Sequence, residues 1–188
     1  MDIGHSPLPR RIETERLLLR PFALDDVDDV LGYAGDSEWA RYLAFIPKPF
    51  ARPQAERFVA QRIVRDWNQR PTWAITRDHR VIGGLGLQLE ANHRSATINY
   101  GIARTHWGRG LATEAAQAVV DAAFDTWPTL NRIESFTDAR NTASLRVMAK
   151  LGMQREATLR QSRLRRGELV DWAACGLLRR DWERRHDQ

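Results

Sequence analysis

Apolar residues along this chain recur with two periods, and the changes of period mark the elements. Alternation of apolar and polar positions predicts strands over 16–22, 72–76, 81–89, 96–103 and 132–137, with two closing strands over 153–159 and 169–178. A spacing of three and four predicts helices. One runs from Pro53, well placed in a first turn, to about residue 68, with Ala55, Phe58, Val59, Ile63 and Trp67 on one face. Another opens at Leu111, carries Ala115, Ala118, Val119, Ala122 and Ala123 as its buried stripe, and stops before Pro128. Shorter helices are expected over 25–33 and 36–42. Asn141 reads as the N-cap of a further short helix and Gly152 as its C′ glycine, which puts Ser144 at the third helical position. Residues 1–11 read as a flexible, proline-containing arm, 77–80 as a polar turn, and the arginine-rich stretch ending at Gly167 as the turn between the closing strands. The run Gly83-Gly84-Leu85-Gly86 has the look of a phosphate loop, but no helix follows it, so it is assigned to a strand.

Composition narrows the class. A chain of 188 residues with 43% hydrophobic content suits one domain with a real core. No stretch approaches the roughly 20 apolar residues of a membrane span, and the start of the chain lacks the apolar segment of a secretory signal. A single cysteine, Cys175, excludes an internal disulfide framework, and no Cys/His spacing points to a metal. A cytoplasmic protein without a metal is expected. The net charge is +5, and 27 of the 29 basic residues are arginine. Arg160, Arg163, Arg165 and Arg166 form a basic cluster that fits a phosphate-bearing partner, yet acidic residues are interspersed along the chain and no nucleic-acid motif accompanies the cluster.

The stretch Trp107-Gly108-Arg109-Gly110-Leu111-Ala112-Thr113 joins a predicted strand to a predicted helix. Two glycines two residues apart permit a sharp turn with inward N–H groups, and the helix adds its unpaired first-turn donors and the positive end of its dipole. That arrangement grips a pyrophosphate; it also serves as a plain strand-to-helix connection. Gly101 interrupts the preceding strand, which implies either a bulge or a close approach by another backbone or a ligand.

Four ordered segments together carry a family resemblance: Thr14-Glu15-Arg16-Leu17-Leu18-Leu19-Arg20-Pro21-Phe22; Trp107 to Ala115; Asn141-x-x-Ser144 through Leu151-Gly152-Met153; and Val170-Asp171-Trp172 with Leu177-Leu178-Arg179-Arg180-Asp181-Trp182. The chain resembles the GNAT superfamily of acyl-coenzyme A dependent N-acyltransferases, and within it the RimJ/RimL-like branch of ribosomal-protein N-terminal acetyltransferases. The superfamily signature falls on Trp107, Gly110 and Ala112, with Trp where Gln or Arg is usual. The resemblance implies an α/β fold built on a mixed, largely antiparallel sheet of about seven strands. Its central parallel pair splays to admit the pantetheine arm of acetyl-coenzyme A (acetyl-CoA). It further implies main-chain contacts to pantetheine around Ile102 and Arg104, and diphosphate on the N–H groups of Trp107, Gly108, Arg109, Gly110, Leu111, Ala112 and Thr113, with the Arg109 guanidinium an added contact or a plain surface charge. Asn141 would lie beside the pantetheine and Ser144 beside the sulfur. A homodimer is the family expectation.

Acyl transfer sets further requirements. An attacking amine must first lose its proton, which is far easier for an α-amine, pKa about 7.7–8.0, than for lysine near 10.4. The oxyanion needs a preorganised donor, for which the backbone N–H near Ile102 is the candidate, and the thiolate leaves more readily if Ser144 donates to it. Family members often carry a glutamate as general base on the strand that here bears Thr97. Glu156 is therefore the first candidate base, with Glu90, His93 or a water route as alternatives. Trp39, Tyr42, Phe45 and Phe50 either line an acceptor slot or belong to the core. The expectation is direct transfer of acetyl from acetyl-CoA to a primary amine, foremost a peptide N-terminal α-amine. The alternatives are a small-amine acetyltransferase acting on a polyamine, an aminoglycoside or an amino acid, a non-catalytic acyl-CoA sensor, and a module that touches ribosomal RNA.

Overall fold

The computed structural model describes residues 7–43, 46–90 and 94–186. Eight strands form one sheet in the order β1-β2-β3-β4-β5-β6-β8-β7, where β1 is Ile12–Glu13, β2 Leu18–Pro21, β3 Thr72–Arg77, β4 Arg80–Leu89, β5 Ser95–Ile102, β6 Arg132–Asp138, β7 Gln154–Arg165 and β8 Glu168–Leu178. The count exceeds the expected seven because the two residues of β1, too short to show alternation, pair with Leu18 and Leu19. Every neighbouring pair is antiparallel except β5 and β6. Helices α1 (Val27–Ala34) and α2 (Arg52–Ile63) cover one face; α3 (Leu111–Thr126) and α4 (Thr142–Lys150) cover the other, and α5 (Arg179–His186) closes the chain as described.

Two cores follow from the alternation of side chains across the sheet. The larger joins Leu19, Ile75, Leu85, Ile98 and Ile133 to the stripe of α3, whose alanines and valines let the helix lie close on the strands. The smaller joins Phe22, Val30, Tyr33 and Val59 beneath α1 and α2. The glycine run of β4 is strand, as expected. A Cβ at Gly83 would stand 2.2 Å from the carbonyl oxygen of Gly101, so only glycine lets β4 and β5 pair there.

The structure differs from the sequence pattern at several elements. Residues 7–11 are no loose arm: Leu8 is buried, and the indole N–H groups of Trp67 and Trp73 donate to the carbonyls of Leu8 and Pro9 at 2.9 and 3.1 Å. Helix α2 stops at Ile63, and Asp66 opens a separate turn, its side chain accepting from the N–H of Asn68 and its carbonyl from those of Gln69 and Arg70; Trp67 belongs to that turn and meets Trp73 edge-on. The arginine-rich stretch is strand, not turn, since β7 and β8 continue as a hairpin to a tight turn at Arg166 and Gly167, both at positive φ. Strand β5 carries no bulge, its register against β4 running unbroken from Ala96 to Ile102; Gly101 instead makes room for the Trp39 indole, 3.3 Å from where a Cβ would lie. The segment 36–42 forms only a single 3-10 turn, Trp39–Tyr42.

Because Leu8 fills a closed site under two tryptophans, Leu8→Ala should lower the unfolding free energy by about 2–5 kcal/mol, read from chemical denaturation. An unchanged midpoint and slope would mean that these residues contribute nothing to the core.

Candidate active site

Strands β5 and β6 pair for only three residues, Ser95 to Thr97 against Arg132 to Glu134, and then part. Beyond that point β5 keeps its partner β4 and β6 keeps β8, so a gap opens in the middle of an otherwise continuous sheet. The N–H of Ala103 donates to Ile82 on the β4 side, so by strand alternation the main-chain groups of Ile98, Tyr100 and Ile102 face the gap. Two of those carbonyls are satisfied by side chains: Ser135 Oγ donates to Ile98 at 2.9 Å and the Trp107 indole donates to Ile102 at 2.6 Å. These bonds hold the parted edge in place without a neighbouring strand.

The wide end of the gap leads to the glycine turn. Gly108 and Gly110 have φ of 74° and 77°, a conformation that disfavours residues with a Cβ, and both are exposed. Glu114 makes the first helical bond, to Gly110, so the N–H groups of Leu111, Ala112 and Thr113 form the open first turn of α3. Trp107 is placed differently from expectation. Its own N–H donates to the carbonyl of Arg104, so it pins the turn and leaves the anion-facing donors to 108–113. From behind, Glu114 accepts from Thr14 Oγ1 and from the main-chain N–H and Nε of Arg16, while Arg16 donates to the carbonyl of Arg109 at 3.0 Å. The segment before β2 thus clamps the turn, a role that the spacing of Thr14 and Arg16 alone could not reveal. The Arg109 side chain is exposed, and the Arg104 guanidinium is bound to Asp36 at 2.7 Å.

Across the gap, Asn141 caps α4 as expected, its Oδ1 accepting from the Ser144 N–H and its Nδ2 donating to Thr137 Oγ1, both at 3.2 Å. Ser144 meets a partner that the sequence reading treated only as an apolar strand residue: the Tyr100 hydroxyl lies 3.2 Å from both Oγ and the carbonyl of Ser144. Burial pushes the Tyr100 phenol up to about 12, so it stays protonated at neutral pH.

The predicted bases fare unevenly. Glu156 lies at the closed end of the gap, beside the start of β6, where both of its oxygens accept from the Arg132 guanidinium. That bond holds its carboxyl below the usual range, and the residue does not join Ser144. Glu90 accepts from Thr97 Oγ1 at 3.2 Å, again where the strands are still paired. His93 and Phe45 lie outside the described residues. Cys175 is buried in β8, where desolvation raises its thiol, which removes it as a nucleophile. The basic cluster also disperses. Arg165 is buried against Asp138 at 2.7 Å, Arg166 donates to carbonyls of Ala40, Leu43 and Ile46, and Arg160 and Arg163 are exposed, Arg163 donating to the carbonyl of its neighbour Ser162.

On the α1–α2 face, a cavity of about 540 Å³ reaches β5 at Asn99, next to Tyr100, and is walled by α2, with Phe50 and Phe58 among its apolar surface. Of the other aromatic residues proposed for an acceptor slot, Trp39 is buried against Tyr33 and Tyr42 donates to the carbonyl of Arg140. Among the described residues no helix is long and apolar enough to cross a membrane, and no cluster of His, Cys, Asp or Glu could hold a metal.

Known proteins place this geometry. The model of the acetyltransferase (GNAT) domain matches residues 16–154. The Uncharacterized N-acetyltransferase p20 of Bacillus licheniformis is 33% identical over 174 residues, covering 90% of this chain and 96% of that protein. Among solved structures, a GNAT-family acetyltransferase from Bacillus anthracis superposes with a TM-score of 0.80 at 25% identity, covering 89% of this chain and 98% of that one. RimL, the ribosomal L7/L12 alpha-N-protein acetyltransferase, in complex with coenzyme A, shares the fold at a TM-score of 0.79 and 16% identity, covering 92% and 98%. A central parallel pair parted beside a glycine turn, together with these matches, makes the chain a member of the GNAT family of N-acetyltransferases.

Proposed function

We propose that this protein transfers acetyl directly from acetyl-CoA to a primary amine, foremost the α-amine of a peptide N-terminus, as in the RimJ/RimL-like branch. The observation that carries the reading is the gap between β5 and β6, bounded at one end by the turn 108–113 and flanked by Ser144 and Tyr100. The N–H groups of 108–113 would hold the diphosphate of the coenzyme, with the α3 dipole aligned to favour it. A concave turn in which a Cβ at Gly108 would meet nothing within 4 Å suits such an anion. The main-chain groups of Tyr100 that face the gap would pair with the pantetheine amides, and the N–H of Ile102, whose carbonyl the Trp107 indole already takes, would donate to the oxyanion that develops on attack. Asn141 would flank the arm.

Ser144 would donate its proton to the departing thiolate, and Tyr100, neutral and bonded to Ser144, would replenish it. With Glu156 bound to Arg132 and Cys175 buried, no acyl-enzyme is invoked and the amine loses its proton to water. This route suits an α-amine far better than a lysine, which favours a peptide terminus over a polyamine.

Three outcomes are expected. Gly110→Asp, which puts a carboxylate where the phosphates would lie, should weaken coenzyme A binding by about a hundredfold, ~2.8 kcal/mol by calorimetry; unchanged affinity in a folded variant refutes the cradle. Ser144→Ala should lower kcat by about a hundredfold with coenzyme A affinity preserved, and Tyr100→Phe should act in the same direction; wild-type turnover removes the pair from the mechanism. The rate for a peptide acceptor should rise with pH through about 7.7–8.0, where the α-amine deprotonates, with no fall from Tyr100 below its value of about 12. A profile still climbing toward 10 would point to a lysine or polyamine amine instead.

A further inference from the structure

The cavity that reaches β5 at Asn99 is lined by four arginines, Arg57, Arg62, Arg65 and Arg70, and, among the described residues, by no aspartate or glutamate. Arg16, Arg20, Arg80, Arg104, Arg132, Arg140 and Arg165 each sit against a carboxylate, whereas among the described residues none of the four arginines gathered in this cavity has a carboxylate within ion-pair distance. Arg62 is the most enclosed. Its guanidinium lies over the Phe58 ring at 3.1 Å and is also drawn to Phe22, with one hydrogen bond, to the carbonyl of Phe58. Burial, reinforced by the charge of Arg65, pulls it down to about 10. Arg65, whose bond is to the Thr72 hydroxyl, is lowered by burial and by Arg70. Positive groups gathered in one cavity without counter-charges raise one another's energy, and an anion entering the cavity would relieve that repulsion while accepting several charge-assisted bonds.

This charge is not accounted for by the coenzyme's diphosphate. Asn99 precedes Ile102 by three strand residues, about 10 Å at the ordinary rise, and the glycine turn lies farther on. The cavity is also on the α1–α2 face, while α3 and its open first turn are on the other. Gln88 and Asn99 supply amides at the floor, next to the gap where the thioester would be presented.

We infer that the amine this cavity accepts carries an anionic group, a carboxylate or a phosphate, within a few atoms of the nitrogen that is acetylated. The inference rests on the acyl-transfer reading and adds the chemical class of its acceptor. An acidic second residue of a peptide would meet Arg62 and Arg65 while its α-amine points toward Asn99 and the gap. No covalent step beyond acetyl transfer is involved: the C–N bond forms and the C–S bond breaks, the nitrogen gives up a proton to water, the sulfur takes a proton from Ser144 that is restored through Tyr100 from water, and the anion stays unreacted.

The test uses the full chain, acetyl-CoA and thiol release. Hexapeptides identical except for Glu, Gln or Lys at the second position are compared, alongside free glutamate and O-phosphoserine. The Glu peptide should exceed the Gln peptide in kcat/KM by about tenfold, the Lys peptide should be poorer still, and added salt should erase the difference. Because Arg62 packs on two rings, the variants are made at the exposed positions: Arg65→Gln with Arg70→Gln should level the series while coenzyme A affinity by calorimetry stays unchanged. Strong turnover of glutamate or O-phosphoserine with poor use of every peptide supports the anionic site and assigns it to small acceptors. A flat series, or a preference for Lys, with normal coenzyme A binding overturns the anionic inference and leaves acyl transfer standing. Absence of coenzyme A binding overturns the acyl-transfer reading and this inference with it.

Discussion

Everything distinctive about this molecule depends on two parallel strands that stop pairing after three residues. A sheet gains stability from each ladder bond, so a parted edge is held only if its polar groups find other partners. Here the substitutes are side chains. Ser135 takes the carbonyl of Ile98, the Trp107 indole takes that of Ile102, and Tyr100 reaches across to Ser144 at the head of α4. The gap is therefore a stable feature of the native fold, and the N–H groups it leaves along β5 are available to a ligand.

The turn at the end of the gap is kept in shape from outside. Glu114 belongs to α3, Thr14 and Arg16 precede β2, and their bonds tie distant parts of the chain behind the two positive-φ glycines. The carboxyl of Glu114 is lowered despite its partial burial, through Thr14 and Arg16, so the clamp is charged at neutral pH. On the other side, Asp138 at the end of β6 fixes the approach to α4. Burial alone would raise its carboxyl, but Arg140 and Arg165 outweigh that and lower it. A carboxyl depressed in the folded state adds stability above its unfolded pKa of about 3.9 and loses it as pH falls through the folded value. Both anchors of the site are thus intact across neutral pH, where an α-amine begins to lose its proton.

How much of this was legible in the sequence depends on the range of the interaction. The glycine turn, the Asn141 cap and the α3 stripe are set by residues within one turn of each other, and alternation or capping chemistry reports them directly. The limit of α2 is hidden in the sequence because Ile63 and Trp67 continue a helical spacing, while the Asp66 turn that follows the helix is a local competitor that periodicity does not weigh. Residues 7–11 look like an arm because their neighbours, Trp67 and Trp73, lie some sixty residues away. Tyr100 shows the same blindness at the site itself. In an alternating strand it counts as one more buried ring, and only the packing of α4 against β5 turns its hydroxyl toward Ser144.

The arginines make the final case for reading charge through geometry. As a list they suggest a basic protein with a patch near Arg163, and a nucleic-acid partner follows easily. In the fold, Arg165 and Arg166 serve the connection between the β7–β8 hairpin and the Trp39–Tyr42 turn, bonding to Asp138 and to main-chain carbonyls. Net charge therefore says little about the partner here. What matters is which guanidinium groups without carboxylates share one surface, as Arg57, Arg62, Arg65 and Arg70 do on α2 and the turn after it, beside Asn99. On the proposed reading the same sheet would divide its labour by face and by end: main-chain donors beyond Ile102 for a diphosphate, hydroxyls at Tyr100 and Ser144 for the thiolate, and cations on the opposite face for the molecule that brings the amine.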